Sequence, residues 1–197
     1  MSIPVQRLNA NARDSYLAHL LALEDQDVRL RFGTRLPPVA IAAYVQAMDF
    51  DRDVLFGVHG PSLELVGAAH LGFSDEAGEL GLSVLAVARR QGLGGALIAR
   101  ACEYARNRAK HRLYMHCLAE NMAMTRLARR AGMQVVIESG DADAHVALPP
   151  ATPVSVTSEM VAERVALYDY ALKTNVETWR RVGAALAATA ATTERVK

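Results

Sequence analysis

The sequence predicts an α+β fold in which a mixed, mainly antiparallel twisted sheet is flanked by helices and followed by a long C-terminal helical extension. Three observations predict it. Segments 53–59, 63–73 and 79–87 are short, apolar and separated by glycine-containing turns, as in a three-stranded antiparallel meander. After the glycine-rich stretch 88–98, helix-like and strand-like segments alternate to about residue 149. From 155 to 188, apolar residues recur every three or four positions.

The elements follow in order. Residues 3–8 predict a first strand, and 12–24 carry Leu17, Leu20, Leu21 and Leu23 at a spacing closer to 3.6 than to 2, which predicts a helix. Segment 25–38 is charged and broken by Gly33 and a double proline, so it reads as a long loop before a second helix over 39–48. The meander then feeds the glycine loop. Beyond it are expected a helix over about 92–109, a strand 112–118, a helix from Asn121 to about Ala131, and strands 133–138 and 144–149 around the acidic turn 139–143. Pro149, Pro150 and Pro153 mark a boundary, dividing the chain into a domain, 1–150, and an extension, 151–197.

Composition narrows the function. A chain of 197 residues that is 51% hydrophobic can bury a sizeable core. Its 22 Lys and Arg against 21 Asp and Glu give no basic field for nucleic acid or an anionic membrane, so any anion must be held locally. The first residues show no cationic segment leading into an apolar run, so no secretory signal is expected, and no run of about 18 apolar residues suggests a membrane span. Cys102 and Cys117 form neither a CxxC nor a metal spacing and fit reduced thiols of a cytoplasmic protein. The histidines are scattered, and no metal site is expected.

The stretch 88-ARRQGLGGALI-98 lies between a strand and a helix. Glycines at 92, 94 and 95 let backbone amides approach a ligand, and a helix starting there adds partial positive charge, so phosphate is the natural guest. Arg89 and Arg90 add full charges. A Walker loop is excluded because no lysine follows the glycines. A dinucleotide fingerprint would need glycine where Leu97 stands, although Glu120 falls at a suitable distance. A plain glycine-rich connection leaves the crowded arginines unexplained.

Arg89-x-x-Gly92-x-Gly94 resembles the R/Q-x-x-G-x-G/A signature of the GNAT superfamily of N-acetyltransferases, and 121-NMAMTRLARRAGM-133 resembles that family's second block, with Asn121, Leu127 and Gly132 in register. The order of elements over 3–149 also resembles the GNAT order. The resemblance implies a GNAT-like sheet whose fourth strand splays from the fifth. Acetyl-coenzyme A would be the co-substrate. Its pantetheine arm would pair with the backbone of Leu82, Ser83, Val84 and Leu85 and be reached by Asn121. Its diphosphate would lie on the amides of Gln91, Gly92, Leu93, Gly94, Gly95 and Ala96 beside Arg89 and Arg90. The implied activity is direct transfer of acetyl to a primary amine, small-molecule or peptide, through a ternary complex. A non-catalytic acyl-coenzyme A binding or sensor module is the other reading.

An amine near pKa 10 is protonated at neutral pH, so attack on a thioester is helped by a base. Glu79, which opens the strand leading into the loop, resembles the acidic residue many GNATs carry there. The family's usual acid is a tyrosine after the leucine of the second block, and this chain has Ala128 there. His116, Tyr114 and Cys117 on the next strand are substitutes, and His116 is the one selected. Acceptor recognition is expected from 25–35, above all from Arg31 and Phe32. In the extension, Val161, Val165, Tyr168, Leu172, Val176, Trp179, Val182 and Leu186 line one face of a helix of about thirty residues. Ser155 or Thr157 is expected to cap it. The stripe is expected to cover its own sheet or to make a homodimer.

Overall fold

A computed structural model describes residues 3–74 and 77–194, side chains of 187–194 apart. In chain order the elements are β1 (Gln6–Leu8), α1 (Arg13–Leu21), α2 (Asp25–Phe32), α3 (Pro38–Ala47), β2 (Val54–His59), β3 (Leu65–Phe73), β4 (Ala77–Val84), α4 (Leu93–Arg106), β5 (Arg112–Leu118), α5 (Met122–Arg130), β6 (Gln134–Glu138), β7 (Asp141–Ala147) and α6 (Pro153–Glu194). One seven-stranded sheet has the order β1-β2-β3-β4-β5-β7-β6. Every pairing is antiparallel except β4 with β5.

Side-chain alternation gives the sheet two apolar faces. On one face Leu80, Leu82, Leu113 and Met115 meet Leu97, Ile98 and Ala101 of α4, whose 14 residues turn a strongly amphipathic face inward. On the other, Leu55, Leu65 and Ala68 meet Leu20 of α1 and Val45 of α3.

Four expectations are corrected, the last being the length of the C-terminal helix. The charged segment 25–38 holds α2 rather than a loop. Gly33, with φ 74°, ends that helix in the left-handed conformation, while Pro37 and Pro38 begin α3. The breakers are real but sit between two helices, and because α2 buries only Val28 of its own length its apolar period is faint. The acidic turn 139–143 is also shorter than expected. Ser139 and Gly140, both at positive φ, make the reversal alone, so Asp141 and Asp143 belong to β7. The third correction is the cap of α6. Thr152 Oγ1 accepts the Ser155 N–H (3.1 Å) and Ser155 Oγ accepts the Thr152 N–H (3.0 Å), with Pro153 in the first turn.

Helix α6 runs 42 residues, about 63 Å at 1.5 Å per residue, against the thirty expected. Polar and small residues dock it. Arg100 of α4 reaches Glu163 at 2.6 Å, Arg108 reaches Glu159 at 2.9 Å, and Ala166 is buried. Farther along, Lys173 Nζ donates to His59 O at 2.7 Å. The eight-residue apolar stripe read from the sequence is exposed along its length, and its first two residues, Val161 and Val165, also line a cavity against Ile3, Val5 and Ala96.

Candidate active site

The β4–β5 ladder covers only Ala77–Glu79 against Arg112–Tyr114, whereas β4 stays paired with β3 to Val84 and β5 with β7 to Leu118. The two central strands therefore part after the Glu79–Tyr114 rung. Alternation decides which backbone groups enter the gap. The Leu85 N–H donates to Val66 O at 2.9 Å, so Leu85 and Ser83 direct their groups to β3, and Leu82 and Val84 direct theirs away from it. Val84 O is taken by Arg89 Nε at 3.1 Å. Of the four residues expected to meet a pantetheine arm, Leu82 and the Val84 N–H remain available.

At the end of β4 a short 3-10 turn, Ala86–Ala88, leads into the loop. Arg90 and Gly92 have φ of 64° and 85°, which turns the chain sharply into α4. Among the described residues the amides of Gln91 to Gly95 make no backbone hydrogen bond; Ala96 is the first to do so, donating to Gly92 O at 3.1 Å. A row of free N–H groups at a helix N-terminus is an anion cradle. A Cβ at Gly94 would come within 2.7 Å of Leu127 Cδ2, whereas at Gly95 it would meet nothing within 4 Å.

This loop floors a cleft of ≈ 730 Å³ shared with Leu82, Ser83 and Asn121. Arg90, Arg126 and Arg130 line it and make no ion pair among the described residues. Arg89, expected beside them, is held by Asp27 of α2 at 2.5 Å as well as by Val84 O, and so ties α2 to the loop. Asn121 is buried and accepts the Met124 N–H on Oδ1 (3.0 Å), capping α5. A row of amides, an unpaired backbone edge and three guanidinium groups fit a nucleotide diphosphate with an extended polar arm.

On the sheet face away from α4, Glu79 and Tyr114 are rung partners, and His116 follows two residues on. His116 Nδ1 is 2.7 Å from Asp143 Oδ1, and Nε2 is 3.6 Å from Asp141. The hydrogen bond to Asp143 raises the His116 pKa, with smaller contributions from Asp141 and Glu79. Glu79 and His116 are thus neighbours at the mouth of the gap. Cys117 points to the other face, buried, and desolvation raises its pKa; burial alone pushes the Cys102 thiol to about 11. Neither thiol is primed for attack. Ala128, at the position of the family's tyrosine, is packed in the main core. Among the described residues no group of three His, Cys, Asp or Glu could hold a metal.

The sequence reading missed a polar cluster beside β4. Arg31 NH2 donates to the Tyr44 hydroxyl (3.3 Å), which donates to His70 Nδ1 (2.6 Å), and His70 Nε2–H donates to Asp53 (3.1 Å). Burial lowers the His70 pKa, so the neutral ring matches this donor order. Its members come from α2, α3, β3 and the turn before β2, and only tertiary structure unites them. Phe32 packs edge-on against Tyr44 at 5.2 Å and under Arg31, whose Cζ lies 4.9 Å from the ring centroid. Nearby, His19 bonds Leu65 O at 2.7 Å and Ser83 Oγ at 2.8 Å.

Solved structures share this architecture. The GNAT domain of S. lividans PAT superposes with a TM-score of 0.63 at 17% identity, over 73% of this chain and 89% of that one. The ribosomal-protein-S18-alanine N-acetyltransferase of Escherichia coli gives 0.58 at 16%, over 76% and 96%. The ribosomal-protein-alanine N-acetyltransferase of Brucella melitensis gives 0.57 at 21%, over 73% and 99%. No protein of curated function matches the sequence. The sequence model of the Acetyltransferase (GNAT) family matches residues 31–133, more than half of the chain and the span that holds both the glycine loop and the splayed strands, and the chain belongs to that family.

Proposed function

We propose that the protein is an N-acetyltransferase that moves acetyl from acetyl-coenzyme A directly to a primary amine in a ternary complex. The observation that carries this reading is the gap between β4 and β5, which opens beside Glu79 and His116 and continues into the amide-lined cleft. The amides of Gln91 to Gly95 with Arg90, Arg126 and Arg130 would hold the diphosphate, and Leu82, Val84 and Asn121 the pantetheine arm. When bound, the co-substrate supplies an acetyl group activated as a thioester. Glu79 takes the proton of the incoming ammonium, directly or through water, and contributes about 10²–10⁴-fold to the rate. His116, whose pKa is raised by its hydrogen bond to Asp143, holds a proton for the departing sulfur. With both thiols buried or raised in pKa, no covalent enzyme intermediate is called for.

The acceptor is a small molecule or a peptide amine. Two unpaired cysteines suit a reducing cytoplasm, and no described helix is long and apolar enough to cross a membrane. The exposed stripe of α6 suits a homodimer. Thiol release from acetyl-coenzyme A across a panel of amines, with coenzyme A binding measured in parallel, tests the assignment. Binding with no turnover would favour an acyl-coenzyme A sensor, the reading supported by Ala128 at the tyrosine position.

A further inference from the structure

Among the described residues Arg31 is a cation without a counterion. Among the described residues its Nε is sealed from solvent and makes no hydrogen bond, NH2 donates to the Tyr44 hydroxyl, and the Tyr16 phenol is close enough to act on the group. The groups that act on its charge are the phenols of Tyr16 and Tyr44, and among the described residues no carboxylate pairs with it. Desolvating a guanidinium without an ion-pair partner is costly. Arg100, the most deeply buried arginine of α4, by contrast has Glu163 at 2.6 Å.

The chain also builds a place for this group. Any side chain at Gly81 of β4 would collide with the guanidinium, so the glycine leaves the space in which Arg31 lies flat against the strand. Phe32 and Tyr44 flank it, and the run of hydrogen bonds through His70 to Asp53 fixes Tyr44 as an acceptor. Arg31 lines the same cleft as Leu82 and the glycine loop. Gly81 follows Glu79 by two residues on the splayed segment, so the cation sits beside the place where acyl group and amine meet.

We propose that Arg31 is a receptor for a carboxylate carried into this site by a substrate. It specifies either an amino-acid-like acceptor or a dicarboxylic acyl group on the coenzyme A thioester. The proposal rests on the transferase reading and adds a charge requirement to it. A guanidinium at a cleft wall receives a carboxylate through paired N–H···O bonds, a geometry a neutral amide cannot match.

The test uses the full chain and acid–amide pairs. Glycine, β-alanine and γ-aminobutyrate are compared with their amides using acetyl-coenzyme A, and succinyl-coenzyme A with acetyl-coenzyme A using an amine that carries no carboxylate. The acid of one set should be preferred by roughly tenfold to a hundredfold in kcat/KM, chiefly through KM, and Arg31→Gln should abolish that preference while leaving coenzyme A binding intact. The first set implicates the acceptor and the second the acyl group. Equal use of acid and neutral partners in both sets, or a preference unchanged in Arg31→Gln, overturns the receptor while the transferase assignment survives. If no partner turns over, the transferase reading fails and the receptor is judged by calorimetry. Binding of N-acetylglycine to the coenzyme A-loaded protein must then exceed that of N-acetylglycinamide and must depend on Arg31.

Discussion

Gly94 on the first turn of α4 and Leu127 on α5 are in contact so close that a Cβ at 94 would stand 2.7 Å from the leucine Cδ2. The two sequence blocks that resemble the GNAT signatures meet at this point, and the meeting closes the floor of the cleft. The neighbouring Gly95 is under no such constraint, with nothing within 4 Å of its Cβ position.

Two glycine substitutions should therefore diverge. Gly94→Ala should destabilise by about 1–2 kcal/mol, since Leu127 must shift. Gly95→Ala should leave stability unchanged or raise it by up to about 1 kcal/mol through helix propensity, yet weaken coenzyme A binding because the new methyl stands beside the cradle. Denaturant melts and calorimetry separate the two effects. Undiminished coenzyme A affinity in Gly95→Ala would remove the cradle from the binding site.

Much of this was legible in the sequence because turn chemistry is local. Arg89, Gly92, Gly94 and Asn121 announce a loop and a helix start whatever surrounds them. What stayed hidden depends on partners. Five residues, Ser139 to Asp143, read as one acidic turn because small and acidic residues favour turns and strand pairing is non-local. Only the pairing with β5 shows that Asp143 lies opposite His116. Arg31, Tyr44, His70 and Asp53 come from four separate segments with no common spacing.

The His116–Asp143 pair predicts a shift in the pH profile. Its hydrogen bond raises the His116 pKa above 6.5, so the protonated ring persists to higher pH than in a free histidine. If His116 provides the proton for the leaving sulfur, kcat falls as pH rises through this raised value. Asp143→Asn should move that alkaline limb to lower pH without changing coenzyme A affinity. An alkaline limb that stays in place would take His116 out of the reaction.

His19 predicts the acid limit of stability. Burial lowers its pKa, so the folded state holds this proton less tightly than the unfolded chain does. Its stabilisation is complete above the unfolded value near 6.5 and is lost as pH falls below it. Burial lowers His59 and His70 as well, while His116, raised, acts in the opposite sense from an exposed site where solvent screens it. Tm should therefore drop between pH 7 and pH 5. His19→Asn should be less stable at pH 7, having lost a bond to Leu65 or Ser83, but should show a shallower acid slope. An equal slope in the two proteins would assign the acid sensitivity elsewhere.

The exposed face of α6 carries a pattern that fits a copy of itself. Val161, Val165, Tyr168, Leu172, Val176, Trp179, Val182 and Leu186 are all exposed, with Trp179 at 73% and Tyr168 at 71%. Read from either end, their spacings nearly coincide, so two antiparallel copies would set Tyr168 against Trp179, Val165 against Val182 and Leu172 against Val176, as a two-fold interface requires. Sedimentation at micromolar concentration should show a dimer, and Leu172→Glu with Trp179→Glu should give a folded monomer with unchanged coenzyme A affinity, since neither residue lines the cleft. A sharper measurement uses Tyr168→Cys with Trp179→Cys. Within one helix these positions are about 16 Å apart, too far for a disulfide, so a doubly crosslinked dimer under mild oxidation reports the antiparallel register. A double-cysteine protein that stays monomeric after oxidation would exclude this pairing and leave the stripe to some other partner.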